Sequence, residues 1–307
     1  MIVVAPRESK IDNPVRVLVA INPSSGGGKG KVVGEKVRRY LTQTLHSVSV
    51  VQESSRLKTL ERLNFELNDT HFDVLVCVGG DGFVHDVLPI CITYQLALMV
   101  IPAGTGNDFA RTIGVHKMKY ADLLDYLGKS APSLINVGSI RHPGGESPFV
   151  QILSTGFDAT VNERANNFRK IRGKVKYVIA VLIKVWKFKA IDFLVTIDEA
   201  EIVGKAMLVC VANGNSYGAG IKVIPFAKHD DGVLDVMILD EMNPIRLLLV
   251  FPKVFFGKHV GHPKLNFYSG KSVKIVGQTW AFADGEKISH LPVEVSLSTQ
   301  DLLVYKS

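Results

Sequence analysis

The sequence predicts an α/β protein in which an N-terminal parallel α/β nucleotide-binding domain is followed by an antiparallel, β-sandwich-like domain. Between Val15 and Leu127, short apolar runs of strand length alternate with helical patterns, which is typical of a parallel sheet covered by helices. After residue 132, strand-like runs dominate, which indicates antiparallel pairing in a sandwich or a distorted barrel. Three early strands end in glycine-rich loops, so these loops are expected at the carboxyl edge of the sheet, where such folds bind ligands.

Hydrophobic periodicity assigns the elements of the first domain. Short apolar runs bounded by turn residues are assigned as strands: Val15–Ile21, Ser47–Val51, Val74–Val78 and Leu96–Ile101. Apolar residues at helical spacing assign the helices: Val32–Leu45, Leu57–Leu67 and Tyr120–Leu127. Because the polar segment Lys129–Ser133 follows the last helix, the first domain is assigned to residues 1–131 and the second to residues 132–298.

The second domain is predicted to consist mostly of strands. The assigned strands are Leu134–Arg141, Phe149–Leu153, Phe193–Ile197, Ala206–Ala212, Gly232–Leu239, Ser272–Val276, Thr279–Ala283 and Val293–Leu297. Two helical stretches interrupt them, Phe168–Lys189 and Asn243–Lys258, and Pro252 predicts a kink in the second stretch or its division into two short helices. Most apolar side chains of Asn243–Lys258 are expected in the core, and a pocket for an acyl chain is the alternative for some of them.

The stretch Val74–Asp86 carries the first functional signal. An apolar strand stops at two glycines and an aspartate, and apolar residues at helical spacing follow. Gly79, Gly80 and Gly82 let main-chain N–H groups approach a ligand closely, and the helix N-terminus behind them suits a phosphate. Asp81 would repel a bare phosphate unless a cation or a hydroxyl proton lies between them. The implied ligand is a metal-bound nucleotide.

Two further loops repeat this arrangement. Asn22–Lys31 follows the first strand and Pro102–Arg111 follows the fourth, and each is rich in glycine. Their candidate nucleotide-binding residues are Asn22, Ser25, Gly104, Thr105, Asn107 and Asp108. Asp81 and Asp108 are predicted to hold Mg²⁺ directly or through water. Neither a Walker phosphate loop nor a dinucleotide fingerprint is present, which disfavours a P-loop enzyme and a Rossmann dehydrogenase.

Composition limits the partners and the compartment. The 307-residue chain has a formal net charge of +7 and an isoelectric point of about 9.2, which favours an anionic partner such as a nucleotide or an acidic lipid surface. No nucleic-acid-binding module is recognisable. Cys77, Cys91 and Cys210 lie in apolar stretches without metal-ligand spacing, so they are expected to be buried thiols of a cytoplasmic protein. No apolar run reaches the length of a membrane span.

A basic stretch indicates contact with a membrane. Phe168–Lys189 contains many lysines and arginines and no acidic residue. Such charges usually form a solvated face, but here they lie beside Tyr177, Val181 and Trp186, so docking on a membrane surface is the competing interpretation.

The loops and several later motifs resemble the diacylglycerol kinase catalytic-domain family, the soluble lipid kinases that include sphingosine and ceramide kinases. The matching motifs are NPSSGGGKG, GGDGF, PAGTGNDFAR, STGFDA, DDGVLDV and ADGE, in the order of the family and over nearly the whole chain. The resemblance implies an ATP- and Mg²⁺-dependent kinase with a nucleotide cleft between its domains, a lipid substrate at a membrane surface, and residues 299–307 returning to the first domain. Peripheral membrane association and a homodimer are further expectations.

The resemblance also implies the catalytic groups. In the family, the ADGE motif carries the general base and a supporting acid, so Asp284 is assigned as the base and Glu286 as the group that holds it or the substrate hydroxyl. Asp81 remains open as a residue that shares the base role. A structural Mg²⁺ ion is implied at Asp230 and Asp231, for which the alternative is a polar turn. The histidines, including His85, show no metal or triad spacing and receive no role.

Two departures from the family pattern keep other functions open. Phe83 stands where the family usually has Thr, and Asn136 stands where it commonly has Asp. Diacylglycerol is the favoured substrate, because the chain resembles the compact bacterial members most. A sphingoid base, NAD or a sugar phosphate is the alternative substrate, the last two as in NAD kinase and phosphofructokinase, which also use GGDG. A nucleotide-sensing or lipid-binding protein without catalysis is the alternative from another class.

Overall fold

The first sheet of the protein has six strands. The computed structural model describes residues 14–166, 168 and 174–307. The strands of this sheet are β1 (Arg16–Ile21), β2 (Ser47–Val51), β3 (Val74–Gly79), β4 (Ala97–Pro102), β5 (Ser133–Ile135) and β17 (Leu302–Val304). They lie in the order β2, β1, β3, β4, β17, β5, and all neighbours are parallel except β17 and β5.

Helices cover this sheet because its central strands are apolar on both faces. Every residue of β3 is buried, as is every residue of β1 except Arg16, which is the pattern of a parallel sheet with two covered faces. The helices are α1 (Ser25–Leu41), α2 (Arg56–Asp69), α3 (Asp81–Thr93), α4 (Asp108–Thr112) and α5 (Tyr120–Leu124). The alternation of strand and helix brings the loops after β1, β3 and β4 to one edge.

Among the described residues, the second sheet has eleven strands, and every pair of them is antiparallel. They are β6 (Gly138–His142), β7 (Gly145–Phe149), β8 (Ile152–Ser154), β9 (Ile191–Ile197), β10 (Ala200–Ala212), β11 (Leu234–Asp240), β12 (Leu265–Gly270), β13 (Ser272–Gly277), β14 (Trp280–Ala283), β15 (Glu286–His290) and β16 (Val293–Leu297). The predicted fold class, a parallel α/β domain followed by an antiparallel β domain, is confirmed.

The long strand β10 separates two apolar cores of the second domain. Val209 and Val211 point into one core, whereas Cys210 and Ala212 point into the other, because successive side chains of a strand face opposite sides. Three described helices lie on the side of Cys210 and Ala212: α6 (Phe157–Asn166), α7 (Lys174–Lys184) and α8 (Pro244–Val254). Pro252 lies inside the last turn of α8, and the helix ends two residues later rather than dividing into two.

One predicted strand is wrong in a way that affects the domain junction. Leu134–Arg141 was expected to be continuous, but it forms β5 of the first sheet and β6 of the second. The chain breaks at Asn136, whose N–H donates to the carbonyl oxygen of His229 at 2.6 Å instead of to a neighbouring strand. Strand β5 lies beyond residue 131 and still belongs to the first sheet. The division of the chain at residues 131 and 132 stays a prediction.

Several elements were missed because they are short or polar. Strand β7 carries Gly, Glu and Ser, and β12 and β15 also contain polar residues at buried or half-buried positions. The structure places α6 at the STGFDA motif, which was not assigned as a helix. Part of the basic stretch, residues 169–173, lies outside the described residues. None of the described helices is long and apolar enough to cross a membrane.

We expect the two faces of β17 to respond differently to truncation. The side chain of Leu302 is 1% exposed, whereas that of its neighbour Leu303 is 40% exposed. Leu302→Ala should lower the free energy of unfolding by about 2–5 kcal/mol, the usual range for a buried leucine. Leu303→Ala is the matched control and should lower it much less. Equal losses in urea-induced unfolding would contradict the placement of β17 within the first sheet.

Candidate active site

The three glycine-rich loops meet at the carboxyl edge of the first sheet. The N–H of Ala103 donates to the carbonyl oxygen of Gly79 at 2.7 Å, which ties the loop after β4 to the loop after β3. A Cβ atom on Gly104 would lie 2.5 Å from the Cα atom of Gly80. Only glycine permits this approach of the two backbones. The sequence-based placement of the loops at one edge therefore matches the observed geometry.

The loop after β1 closes over the same point. Gly26 has a φ angle of +59°, and a Cβ atom there would collide with the carbonyl oxygen of Ala103. The side chain of Asn22 accepts hydrogen bonds from the N–H and the hydroxyl of Ser24, at 3.2 and 2.8 Å. Ser25 begins α1 and faces the cleft together with Asn22. Both remain candidates for contact with a nucleotide.

Asn107 braces its own loop. It has a left-handed conformation, with φ +54°, and its side chain accepts from the N–H of Gly104 at 2.9 Å and donates to the carbonyl oxygen of Gly104 at 3.0 Å. These two bonds keep the loop after β4 compact. Thr105, by contrast, lines the cleft.

Asp81 and Asp108 lie together at the floor of the cleft. A Cβ atom on Gly106 would lie 2.6 Å from Asp81 Oδ2 and 3.3 Å from Asp108 Oδ2, so these two oxygens flank one small space. Burial and the negative charge of Asp108 raise the pKa of Asp81 to about 7, although the backbone N–H groups of residues 107–109 oppose the shift. Ionisation of both carboxyl groups at once is therefore unfavourable in these buried surroundings.

This arrangement fits a divalent cation. Asp81 Oδ1 accepts the N–H of Phe109 at 3.2 Å, which leaves Oδ2 directed at the space beside Gly106. Two carboxylates supply hard oxygen ligands, and phosphate oxygens of a nucleotide would complete the shell that Mg²⁺ prefers. A cation here would also offset the repulsion that raises the pKa of Asp81.

Asp108 has a second function that sequence reasoning missed. The residue is 5% exposed, and its carboxylate accepts the N–H of Ala219 at 2.7 Å and the N–H of Gly220, both from the second domain. Gly218, Ala219 and Gly220 all have positive φ angles, which turns these N–H groups toward the carboxylate. The run SYGAG, with two glycines around one alanine, was the available signal for this loop.

Asp284 faces the cleft from the second domain, but its oxygens are already engaged. The side chain is 4% exposed and accepts the N–H groups of Val150, Gln151 and Ile152 at 2.9, 2.9 and 3.2 Å. The residue itself has a φ angle of +51°. The predicted base is therefore held rigidly at the start of β8.

Glu286 is the more accessible carboxylate of the motif. Its side chain is 39% exposed, and Oε1 lies 3.4 Å from the guanidinium of Arg56. A Cβ atom on Gly82 would lie 2.8 Å from the same oxygen, so the ADGE motif lies directly across from GGDG. Arg56 also pairs with Asp86 and thereby links α2, α3 and the second domain. No sequence motif singled out Arg56.

His85 lies behind Asp284 and was given no role from the sequence. Its Nδ1 atom is buried, lacks a hydrogen-bond partner among the described residues, and lies 3.6 Å from Asp284 Oδ2. Burial lowers the pKa of His85, but the interaction with Asp284 and the charges of Glu286 and Asp86 outweigh it, so the pKa is raised. The signal was its position four residues after Asp81, on the same side of α3.

The second acidic cluster has partners of its own. Asp230 pairs with Lys306 at 3.2 Å, and Asp231 accepts the N–H of Val233 at 3.3 Å. Asn136 accepts the N–H of Gly232 at 3.0 Å and donates to Asp301 at 3.1 Å. Across residues 14–166, 168 and 174–307, no group of three or more His, Cys, Asp or Glu side chains is arranged to hold a metal. A structural Mg²⁺ ion at Asp230 and Asp231 stays a prediction.

The cleft between the domains has a volume of about 300 Å³. Its walls combine the three glycine-rich loops and both acidic motifs with two residues that were missed, Gln151 and Tyr217. The predicted site residues Asp81, Asp108, Asp284 and Glu286 therefore share one cavity. Asp230 and Asp231 do not line it.

Two family models cover most of the chain. The "Diacylglycerol kinase catalytic domain" matches residues 16–140, and the "YegS C-terminal NAD kinase beta sandwich-like domain" matches residues 151–306. The second match alone spans half of the chain. This chain belongs to the diacylglycerol kinase catalytic-domain family. The glycine-rich loops lie in the first matched region and ADGE lies in the second.

Relatives of this family member are named as kinases. A diacylglycerol kinase from Mycobacterium tuberculosis is 34% identical over 227 residues, which cover 73% of this chain and 74% of the relative. A diacylglycerol kinase from Staphylococcus saprophyticus is 24% identical over 292 residues, 90% of each chain. The crystal structure of a diacylglycerol kinase from Bacillus anthracis has a TM-score of 0.68 at 20% identity and covers 98% of both chains, which shows the shared fold.

We expect Asp81→Asn to stabilise the protein in metal-free buffer at alkaline pH. The pKa of Asp81 is about 7 when folded and 3.8 ordinarily, so the folded state keeps this proton longer than the unfolded state. The free energy of unfolding therefore falls as the pH rises between these values, and the cost persists above pH 7. In EDTA, the melting temperature of Asp81→Asn should exceed that of the wild type at pH 8.

The advantage of Asp81→Asn should shrink as the pH falls and vanish only below the ordinary pKa of 3.8, where the wild-type carboxyl is protonated in both the folded and the unfolded state. Asp69→Asn, at the exposed end of α2, is the matched control and should leave the melting temperature unchanged at both pH values. A melting temperature below wild type at pH 8 would contradict the crowding of Asp81 against Asp108.

His85→Gln should give the complementary result. Because the pKa of folded His85 is raised, its charge stabilises the fold below the ordinary value of 6.5, and this stabilisation is lost as the pH rises through the folded value. The wild type should melt above His85→Gln at pH 6, with the gap narrowing at higher pH. His71→Gln is the control, since His71 is 75% exposed. A gap that widens with pH would argue against the charge pair with Asp284.

Proposed function

We propose that this protein transfers the terminal phosphoryl group of ATP to the hydroxyl of a lipid, with diacylglycerol as the favoured acceptor and Mg²⁺ as the cofactor. Membership in the diacylglycerol kinase family supports the kinase activity. The choice of a lipid rests on one structural observation, which is that a polar cleft and an apolar cavity share a wall.

Tyr217 forms that shared wall. It lines the polar cleft together with Asp81 and Glu286, and it also lines a narrow apolar cavity in the second domain. The remaining lining of this cavity is almost entirely apolar: Phe157, Val161, Val181, Leu208, Cys210, Ile221, Val223, Met237, Leu239, Leu247, Val250, Phe251, Val254, His259 and Leu265. The apolar cavity has a volume of only about 70 Å³, so it would have to widen to admit a whole chain, but its lining has the chemistry to receive the apolar end of a molecule whose hydroxyl lies in the cleft.

The residues of the cleft divide the work of phosphoryl transfer. The loops after β1, β3 and β4 would present main-chain N–H groups to phosphates, and Asp81 Oδ2 faces the space beside Asp108 that would take the cation. ATP would supply the phosphoryl group, and Mg²⁺ held by Asp81 and Asp108 would neutralise charge on its oxygens. Asp284 is the proposed acceptor of the hydroxyl proton. Glu286, held by Arg56, orients the hydroxyl, and Asp81 is the alternative acceptor.

The rival substrates fit the observed cavities less well. NAD and sugar phosphates carry charged and hydroxylated groups on both sides of the reacting oxygen, and the apolar cavity offers these few hydrogen-bond partners, since only Tyr217 and His259 of its lining carry strongly polar side-chain atoms. A sphingoid base shares the apolar chain, so it remains the second candidate. For a protein without catalysis, Phe83 is the motivating residue: its ring is 2% exposed and packs beneath Gly79, so it supplies no hydroxyl to the cleft.

The assay that tests this proposal measures product formation from labelled ATP and Mg²⁺. Diacylglycerol, a sphingoid base, NAD and fructose 6-phosphate are compared at matched concentrations. Diacylglycerol should give the highest kcat/KM. Higher turnover of NAD or of the sugar phosphate would contradict the lipid assignment, and ATP binding without any product would support a protein that only binds.

Glu286→Gln tests the site itself. We expect turnover to fall by about a hundred- to ten-thousand-fold with little change in stability, because the side chain is accessible and loses only charge. Asp284→Asn should reduce turnover and also lower the free energy of unfolding. The NH₂ group of the new side chain cannot accept a hydrogen bond, so at least one of the three backbone N–H donors would lose its acceptor. Glu201→Gln, on an exposed part of β10, is the control. Wild-type turnover in Glu286→Gln and Asp284→Asn would leave Asp81 as the base.

A further inference from the structure

The helix α8 is apolar on two opposite sides. Leu247 and Val250 are 4% and 6% exposed and line the apolar cavity. Ile245 and Leu249 lie four residues apart on the outer side and are 62% and 68% exposed. A helix on the surface of a soluble protein normally turns polar residues outward. The outer side of α8 therefore matches an environment that is less polar than water.

This apolar surface continues beyond the helix. Phe256 is 73% exposed, and Val260 and Phe226 are 44% and 46% exposed. The segments that carry them pack together, since His259 Nε2 lies 2.7 Å from the carbonyl oxygen of Val223. We refer to the exposed residues of this continuous surface as the α8 face: Phe226, Ile245, Leu249, Phe256 and Val260.

The two chain segments that carry the α8 face are basic, although the exposed Glu241 and Asp230 lie just outside them. Residues 243–265 and 221–229 contain no Asp or Glu. The exposed basic residues of these segments are Lys222, Lys228, Arg246, Lys253 and Lys258. Exposed apolar side chains mixed with lysine and arginine are typical of helices that lie in the headgroup layer of an anionic membrane. A second copy of this chain is a poor occupant, because two such faces would bring basic groups of like charge together.

We propose that the α8 face docks into the headgroup layer of an anionic bilayer. The inference rests on the proposed function for the identity of the lipid that would enter, but the docking itself follows from exposure and charge. The same helix separates the α8 face from the apolar cavity, which reaches Tyr217 and the cleft. Docking would thus place the cavity beside the bilayer, and an acyl chain would move from one apolar environment to another along α8.

The surface differs from the one that the sequence indicated. The basic stretch Phe168–Lys189 was the expected docking element, and part of it lies outside the described residues. Its described helix α7 contributes Val181 to the same cavity and exposes Val175, Leu182 and Ile183, and the turn after it exposes Trp186. The α8 face contains the three most exposed of these apolar side chains, Ile245, Leu249 and Phe256 at 62–73%, against at most 60% in the described part of the basic stretch, so the strongest effects are expected from its residues.

Co-sedimentation of the full chain with vesicles tests this proposal without nucleotide or substrate. Vesicles of phosphatidylcholine alone are compared with vesicles that also contain phosphatidylglycerol, over a range of salt concentrations. Leu249→Glu and Phe256→Glu should each weaken binding to the anionic vesicles at least tenfold. Lys253→Gln and Lys258→Gln should each weaken it about fivefold, the equivalent of about 1 kcal/mol per basic residue, and less at high salt.

Matched variants control for exposure and charge. Leu45 is 78% exposed in the first domain, so Leu45→Glu introduces the same change away from the α8 face and should leave vesicle binding unchanged. Lys36 lies at an exposed position of α1 in the first domain, so Lys36→Gln is the corresponding control for charge. Equal binding by Leu249→Glu and Leu45→Glu would overturn the proposal. A wild-type dimer in vesicle-free buffer that Leu249→Glu converts to a monomer would overturn it in favour of a second copy.

The outcome is independent of the kinase proposal. Loss of vesicle binding in the α8 variants, together with no phosphorylation of any lipid, would support docking and refute the kinase. Phosphorylation of a water-soluble short-chain diacylglycerol, together with α8 variants that bind vesicles like the wild type, would do the reverse.

Discussion

The buried carboxylate of Asp108 is the interaction on which the cleft depends. It belongs to the first domain, yet its hydrogen-bond donors are the N–H groups of Ala219 and Gly220 in the second domain. Hydrogen bonds to an ionised group are stronger than those between neutral groups, so these contacts set the distance between the domains. They also place a fixed negative charge beside Asp81. The site is therefore built with a local excess of negative charge, which a bound cation would relieve.

Much of this arrangement could be predicted because glycine is required where two backbones approach too closely for a Cβ atom. The loops after β1, β3 and β4 require glycine at Gly26, Gly80 and Gly104, where another backbone comes too close for a Cβ atom. Strands β1, β3 and β4 were predictable for a related reason, since burial on two faces demands an unbroken apolar run. Sequence patterns identified these loops and strands because their local geometry constrains residue type strongly.

The parts that were missed depend on contacts between distant residues. Arg56 and His85 act through partners in the second domain, and no local spacing signals such a pairing. The three amide bonds to Asp284 were also invisible, because they come from main-chain groups that every residue possesses. The division between β5 and β6 depends on Asn136, where tertiary hydrogen bonds outweigh the strand propensity of the flanking residues.

Asn136 illustrates how a departure from a family pattern can be compensated nearby. Its amide accepts from the N–H of Gly232 and donates to the carboxylate of Asp301 at the same time. A carboxylate at this position would only accept, and it would face Asp301 with like charge unless a cation lay between them. Lys306 likewise neutralises Asp230. The domain junction in this chain is thus held by an amide and an ammonium group.

The return of β17 to the first sheet also determines the order in which the protein is completed on the ribosome. An N-terminal domain usually folds while the rest of the chain is still being synthesised. Here β4 and β5 lack the strand between them until the whole second domain has been translated, since β17 pairs with both. The β4 side of the first sheet is therefore completed last, when β17 takes its place between β4 and β5. Strands β2, β1, β3 and β4 pair with one another directly, so the part of the sheet that carries the nucleotide loops is available to form before the second domain is finished.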